Sequence, residues 1–201
     1  MMPLKAANLR QYADVLRLRS GVSMTVRFVE PGDVEALRAY FGRLSGPTHY
    51  SRFLGATRDL PRSQYERMLH TGEGNHFAVV AEVGTGLERS IIGEARYAFD
   101  PASRAVEFGI SVADAWHGTG AGAALLSNLE CRAAALGADS IFGDSLGTNK
   151  EMRGLAKKRG YRFSHTPDDW TLVRFTKDIR IAQDIPCIGS TRAVPVFATA
   201  G

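Results

Sequence analysis

The chain has 201 residues, of which 44% are hydrophobic, as is typical of one globular domain with a buried core. Its formal net charge of +4 is a mild basic excess that suits an anionic ligand, but no basic stripe with interleaved aromatic residues indicates nucleic-acid binding. No apolar run approaches the roughly 18 residues of a membrane helix, and no His/Cys/carboxylate cluster indicates a metal site. We therefore expect a cytoplasmic monomer or dimer with no metal, membrane or nucleic-acid partner.

The first half of the chain predicts a hairpin, three helices and three strands in succession, after a leader at residues 1–13. Two alternating strands, Val15–Arg19 and Met24–Val29, flank a Ser-Gly turn. Asp33 is expected to cap a helix that carries Leu37, Tyr40, Phe41 and Leu44. Further helices are predicted around Thr48–Leu54 and Ser63–Leu69, and Ser63 has capping-box spacing to Glu66. The strands are His76–Val83, Ser90–Phe99 and Ala105–Val112.

The second half predicts a strand–helix–strand unit that completes the domain at residues 14–178 and leaves a tail at residues 179–201. The elements are a helix at Gly120–Leu136, a strand at Ser140–Asp144, a helix at Asn149–Arg159 and strands at Tyr161–Ser164 and Trp170–Thr176. Antiparallel strands followed by this unit indicate an α/β or α+β fold around one central sheet.

A glycine-rich segment precedes the long helix. Gly118, Gly120 and Gly122 occupy every second position, where glycine lets the backbone approach a ligand closely. The start of a helix offers unpaired N–H groups and a positive dipole, so this segment indicates a pyrophosphate site. A flexible loop before an ordinary helix would give the same pattern. Gly118, Gly120 and Ala123 also match a dinucleotide fingerprint, but the fingerprint belongs directly after a strand in an early βαβ unit.

Glu107 is the candidate catalytic residue. Alternation along its strand places Val106, Phe108, Ile110 and Val112 on one face, and Glu107, Gly109 and Ser111 on the other. A carboxylate beside two small residues, one strand before an anion site, is placed to face a cleft. A solvated strand face is the alternative interpretation.

The segment from His117 to Gly122 resembles the Arg/Gln-x-x-Gly-x-Gly/Ala motif of the GNAT acetyltransferase superfamily, with His117 at the first position. The helix that starts at Asn149 and ends before Gly160-Tyr161 is similar to the Asn-led helix of that family. The resemblance implies a mixed, mostly antiparallel central sheet flanked by helices. It also implies acetyl-CoA as the cosubstrate.

The hairpin VLRLRSGVSMTVRF, with LSGPTHYSRFLG and GEARYAFDP, resembles more closely the GNAT domain of bacterial protein-lysine acetyltransferases that act on acyl-CoA synthetases. This likeness implies that Glu107 is the general base and that Asn149 contacts the cofactor arm. It implies that acetyl-CoA is bound by the backbone at Val112 and by the loop His117, Gly118, Thr119, Gly120, Ala121, Gly122 and Ala123. Many family members carry a Tyr that protonates the thiolate, and the matching position here is Ala156, which leaves that acid unassigned.

Four functions stay open at this point. The first is an N-acetyltransferase that acts on a protein lysine, which predicts an open, shallow acceptor groove. The second is a small-amine acetyltransferase, which predicts an acidic, closed pocket. The third is a catalytically silent acyl-CoA sensor, and the fourth is a nicotinamide dehydrogenase, which requires a dinucleotide in place of acetyl-CoA.

Overall fold

The computed structural model describes residues 13–53, 61–71, 73–166 and 169–179. Within these residues the strands are β1 (Ala13–Arg17), β2 (Ser23–Phe28), β3 (His76–Val83), β4 (Ser90–Asp100), β5 (Ala105–Val112), β6 (Ser140–Leu146), β7 (Arg162–Thr166) and β8 (Asp169–Asp178). The α-helices are α1 (Val34–Gly42), α2 (Gly46–Phe53), α3 (Arg62–Leu69), α4 (Ala121–Ala135) and α5 (Lys150–Lys158). Except at residues 13 and 179, the expected leader and tail lie outside the described residues.

The strands form one sheet in the order β1-β2-β3-β4-β5-β6-β8-β7. Every neighbouring pair is antiparallel except β5 and β6, which are parallel because α4 connects them. The predicted mixed, mostly antiparallel sheet with flanking helices is confirmed.

The first hairpin begins earlier than its sequence pattern predicts. Strand β1 ends at Arg17, because Leu18 already belongs to the turn: its N–H donates to Val22 O at 2.9 Å, and its C=O accepts from Gly21 N–H at 2.9 Å. Gly21 has φ +83°, a conformation that glycine adopts without strain. The predicted strand at Val15–Arg19 is therefore shifted by two residues.

The two faces of the sheet have separate hydrophobic cores. One core contains Val106 and Phe108 of β5 and packs under α4, and the other contains Tyr40 and Phe41 of α1 and covers the opposite face. The face with Glu107, Gly109 and Ser111 is therefore not wholly solvated. Ser111 is buried there, and its hydroxyl lies 2.9 Å from the Tyr40 hydroxyl.

Two predicted helix caps are wrong in their side-chain contacts. Asp33 occupies the N-cap position of α1, but its carboxylate accepts hydrogen bonds from Arg27 and from the Glu30 N–H, each at 2.7 Å, and caps no N–H of α1. The N-cap of α3 is Pro61, so Ser63 makes no capping box. Long-range charge pairing and proline override the local patterns at these two sites.

Candidate active site

A gap opens between β5 and β6 in the middle of the sheet. The two strands pair only over Ala105–Glu107 and Ser140–Phe142, and β5 then continues to Val112 with no β6 partner among the described residues. Successive residues of a strand direct their backbone groups to opposite edges. The Phe108 O points to the β6 edge, because it lies 2.9 Å from where a Cβ on Gly143 of β6 would stand. Every second residue after Phe108 directs its backbone groups to the same edge. The N–H groups of Ile110 and Val112 therefore face the gap.

The glycine loop leads from the end of β5 into α4. Gly118 and Gly120 have φ values of +74° and +95°, which L side chains rarely adopt, so glycine is strongly favoured at both. The Ala121 N–H donates to Thr119 Oγ1 at 3.3 Å and the Ala124 N–H to Gly120 O at 2.9 Å. Between them, the N–H groups of Gly122 and Ala123 have no hydrogen-bond acceptor in the part of the chain that the structure describes.

His117, Thr119 and Asn149 hold backbone in place. The His117 ring donates from Nε2 to Val112 O at 2.9 Å, which ties the loop to β5 and leaves the Val112 N–H toward the gap. Thr119 Oγ1 donates to Trp116 O at 2.8 Å. Asn149 is the N-cap of α5, and its Oδ1 accepts from the Met152 N–H at 2.9 Å. Their direct contact with a cofactor stays a prediction.

Glu107 is exposed and lies where the gap begins, as the last residue of β5 that pairs with β6. Gly109 lies two residues after Glu107 on the same face of β5 and pairs with Arg96 of β4. Arg52 of α2 covers Gly109 so closely that a Cβ there would lie 2.6 Å from Arg52 Nη1. The fully buried Glu94 accepts hydrogen bonds from Arg52 Nε and, at 3.1 Å, from Arg52 Nη2.

One groove of about 1700 Å³ connects these parts. It is lined by the loop from His117 to Gly118 and by Gly120, Gly122 and Ala123, and it reaches Val112, Glu107 and Asn149 as well. The structure thus brings most of the predicted site residues to one groove, although Thr119 and the buried Ala121 do not line it. We call the part of the lining at Gly118, Gly120, Gly122 and Ala123 the loop arm, and the part around Glu107, Gly109, Arg52 and Arg96 the acceptor arm.

The acetyltransferase (GNAT) family model matches residues 43–161, more than half of the chain. The chain belongs to the GNAT family. This membership confirms the predicted N-acetyltransferase class.

Known proteins of this class are similar over most of the chain. An acetyltransferase of Pseudomonas aeruginosa, PA5475, is 28% identical over 156 residues, which are 78% of this chain and 84% of that protein. The GNAT domain of S. lividans PAT superposes with a TM-score of 0.75 at 23% identity and covers 83% of this chain and 96% of its own. A cAMP-binding acyltransferase from Mycobacterium smegmatis superposes with a TM-score of 0.57 at 22% identity, over 90% of this chain and 53% of that one. The two structures support the GNAT fold alone.

The position of the usual GNAT tyrosine is closed to the groove. Ala156, on the buried face of α5, is fully buried in the core, and its C=O accepts the Tyr161 N–H at 3.0 Å. Across the described residues, no group of three or more His, Cys, Asp or Glu side chains is arranged to hold a metal ion. None of the helices described there is both long and apolar enough to cross a membrane.

Several groove residues were missed by reasoning from the sequence. Arg19 of the first hairpin lies beside the loop, with its Cγ 3.8 Å from where a Cβ on Gly120 would stand. Arg52 and Arg96 line the acceptor arm, and Ser145 of β6 lines the gap with a buried Oγ that has no described hydrogen-bond partner. These residues reach the groove through tertiary packing, and their local patterns carry no sign of it.

Proposed function

We propose that this GNAT protein transfers the acetyl group of acetyl-CoA to an amine, most fittingly the side chain of a protein lysine, with Glu107 as the general base. The proposal rests on one observation: a single groove joins free helix N–H groups at Gly122 and Ala123 to the carboxylate of Glu107, across the gap between β5 and β6. An anion site at one end and a proton acceptor at the other are the two groups that this reaction needs.

The loop arm fits the pyrophosphate of acetyl-CoA. A helix N-terminus with unpaired N–H groups attracts phosphate oxygens, and Arg19 adds a positive charge beside Gly120. The N–H groups of Ile110 and Val112 face the gap, where they can bind the polar groups of an extended cofactor arm. The thioester supplies the acetyl group at the inner end of this arm.

The acceptor arm performs the proton transfer. A lysine amine has a reference pKa of about 10.4 and is protonated at neutral pH, so it must lose a proton before its nitrogen can bond to the acetyl carbon. Glu107 accepts that proton, directly or through a water. As the new C–N bond forms, the C–S bond breaks and the sulfur leaves as a thiolate. A thiol pKa near 8.5 makes this departure feasible without a strong acid, which is consistent with Ala156 in place of the tyrosine.

The shape and charge of the groove favour a protein lysine over a small polyamine. A volume of about 1700 Å³ exceeds the roughly 300–1,000 Å³ of a typical small-molecule pocket. A polycationic acceptor needs an acidic pocket, whereas Arg52 and Arg96 line this arm. The cytoplasmic location and the oligomeric state stay predictions from the sequence.

The test of this function is Glu107→Gln. We expect acetyl transfer to a panel of lysine proteins and small amines to fall by about 10²-fold or more, because the proton acceptor is lost. The dissociation constant for acetyl-CoA, measured by calorimetry, should stay unchanged. Glu66→Gln is the matched control, since Glu66 lies on the exposed surface of α3 and, among the described residues, pairs with Arg62 alone.

Other results would select other functions. Undiminished transfer by Glu107→Gln would remove Glu107 from the mechanism. Tight acetyl-CoA binding with no transfer by the unaltered protein would indicate the silent sensor, and binding of a nicotinamide dinucleotide in place of acetyl-CoA would indicate the dehydrogenase.

A further inference from the structure

Two guanidinium groups stand beside the proposed base on the acceptor arm. Arg96 and Gly109 pair across β4 and β5, and Arg52 lies on Gly109 from above. Both arginines are over the Phe53 ring, with each Cζ 5.4 Å from its centroid, which fixes their positions. Gly109 is two residues from Glu107, and such residues on a strand are about 7 Å apart.

These two cations share one carboxylate. Arg52 donates to both carboxylate oxygens of Glu94, through Nε and Nη2. The ion pair between Arg96 and Glu94 is longer, at 3.6 Å. Arg52 Nη1, which points at Gly109, has no hydrogen-bond acceptor among the described residues. Burial, and then repulsion from Arg52, lowers the pKa of Arg96 to about 10 despite the charge of Glu94. Two guanidinium groups thus share one carboxylate, so the pair carries one positive charge in excess and keeps N–H donors without acceptors among the described residues.

Three other carboxylates that line the groove are already engaged. Asp144 accepts two hydrogen bonds from Arg174, at 2.9 and 2.7 Å, and Asp114 accepts from Ser45 and Thr48. Glu73 lies 3.0 Å from the His70 ring. Arg67 at the rim adds another cation and forms no ion pair with a described residue. Among the described residues, Glu94 is thus the one carboxylate that forms an ion pair with Arg52 or Arg96.

We infer that Arg52 and Arg96 form a subsite for an anionic group of the acceptor, a carboxylate of an Asp or Glu next to the target lysine. The inference rests on the proposed function, because it assigns the neighbour of the amine that Glu107 deprotonates. Guanidinium groups bind carboxylates through paired, charge-assisted hydrogen bonds. The subsite lies over Gly109, whose Cα is about 7 Å along the strand from that of Glu107, so a residue beside the target lysine can reach it.

The experiment compares three blocked peptides that each contain one lysine, flanked by Asp, by Asn or by Arg. We expect kcat/KM for the Asp peptide to exceed that for the Asn peptide by about tenfold or more, since hydrogen bonds between charged groups are the strong ones. The Arg peptide should be the poorest acceptor. Raising the ionic strength from 0.05 to 0.5 M should reduce the preference, because salt weakens the attraction between a peptide carboxylate and charged groups that line a groove open to solvent.

Variants locate the preference. In Arg96→Gln the ratio of the Asp to the Asn peptide should fall to about one, while the dissociation constant for acetyl-CoA stays unchanged. Arg67 lies at the exposed rim, and Arg67→Gln should reduce this ratio in part. It is the second test variant in case Arg96→Gln does not fold. Arg89→Gln is the control, because Arg89 is exposed and lies outside the groove.

Each result has one meaning. Equal rates with the Asp and Asn peptides, or a preference that Arg96→Gln and Arg67→Gln both leave intact, overturns the subsite but not the acetyltransferase. If a free amino acid is a better acceptor than every peptide, the bound carboxylate belongs to a small molecule. That result overturns the proposal that the carboxylate comes from a residue next to the target lysine. If no acceptor is acetylated while acetyl-CoA binds, the proposed function fails, and calorimetric titration with the Asp and Asn peptides still decides whether the anion binds.

Discussion

Glu94 shows how one residue organises the acceptor face. Its carboxylate is fully buried, yet it bonds to Arg52 and accepts from Ser111 Oγ at 2.9 Å. Burial acts to raise the pKa of Glu94, but the charges of Arg52 and Arg96 outweigh it and the pKa lies below its ordinary value. Glu94 is thus the counter-charge that holds two arginines beside Glu107.

Glu94→Gln should lower the free energy of unfolding by about 3 kcal/mol at pH 7, because it leaves two partly buried guanidiniums without a carboxylate. Since the pKa of Glu94 is lowered by folding, its stabilisation is fully present above the ordinary value of 4.5 and is lost as the pH falls through the folded value. The difference between the variant and the unaltered protein should therefore shrink below pH 4.5 in urea unfolding.

Glu35→Gln is the control for that measurement. Glu35 forms an exposed ion pair with Arg38 at 2.8 Å, and the median surface pair contributes about 0–1 kcal/mol. A Glu94→Gln protein as stable as this control, or a deficit that stays constant from pH 7 to pH 3, would contradict the role assigned to the buried carboxylate.

At the scale of elements, α4 is anchored far from the end that offers its free N–H groups. Arg132 is buried and donates from Nη2 to Asp14 Oδ2 at 2.7 Å and to Val26 O at 3.3 Å. Asn128 accepts from Arg132 Nε at 2.7 Å and donates to the same Asp14 oxygen at 2.7 Å. This network ties α4 to the first hairpin and so fixes where the glycine loop meets β5.

Arg132→Met should destabilise the protein by about 3–5 kcal/mol, because it leaves the Asp14 carboxylate buried and unpaired. Adding Asp14→Asn should restore a part of this loss, since the uncompensated charge is then gone. Urea unfolding of both single variants and of the double variant measures the coupling. Additive losses in the double variant would show that the two side chains do not act as a unit.

The helices and strands were predictable because they depend on local periodicity. The predicted bounds of β3 and β5 agree with the structure at both ends, since turn residues flank them and apolar residues fill them. The predicted helix cap at Asp33 was wrong, because the Asp33 carboxylate forms an ion pair with Arg27 of β2. Pairing between distant segments decides such contacts, and a local pattern does not contain it.

At the scale of the whole molecule, the groove joins parts that were predictable to different degrees. The glycine loop was found because a short motif carries it, and Glu107 because strand alternation and the neighbouring anion site single it out, although their roles stay predictions. Arg52 and Glu94 are 42 residues apart in the chain and meet only when α2 packs on the sheet. The divergence of β5 from β6 begins at Glu107, and that position depends on the full strand register, which a local pattern does not contain.

Because the loop arm is formed by the folded sheet and α4 together, acetyl-CoA should stabilise the whole protein. A ligand at about 100 times its dissociation constant adds about 2.7 kcal/mol to the free energy of unfolding. For a domain of this size, that corresponds to a rise in Tm of about 5–10 °C. A thermal-shift assay with acetyl-CoA measures the rise, and a nicotinamide dinucleotide at equal concentration should cause none.

Gly120→Ala tests whether this rise depends on the glycine loop. Gly120 has φ +95°, so a side chain there strains the turn by about 1–3 kcal/mol and displaces the N–H groups at the start of α4. Gly42→Ala is the matched control, because its added Cβ meets no described atom within 4 Å beyond its chain neighbours and the backbone of its own helix, and its φ is not positive. We expect acetyl-CoA to raise the Tm of Gly42→Ala fully and that of Gly120→Ala much less. An equal rise in Tm for both variants would mean that the affinity for acetyl-CoA does not depend on the loop. The diphosphate would then be bound elsewhere.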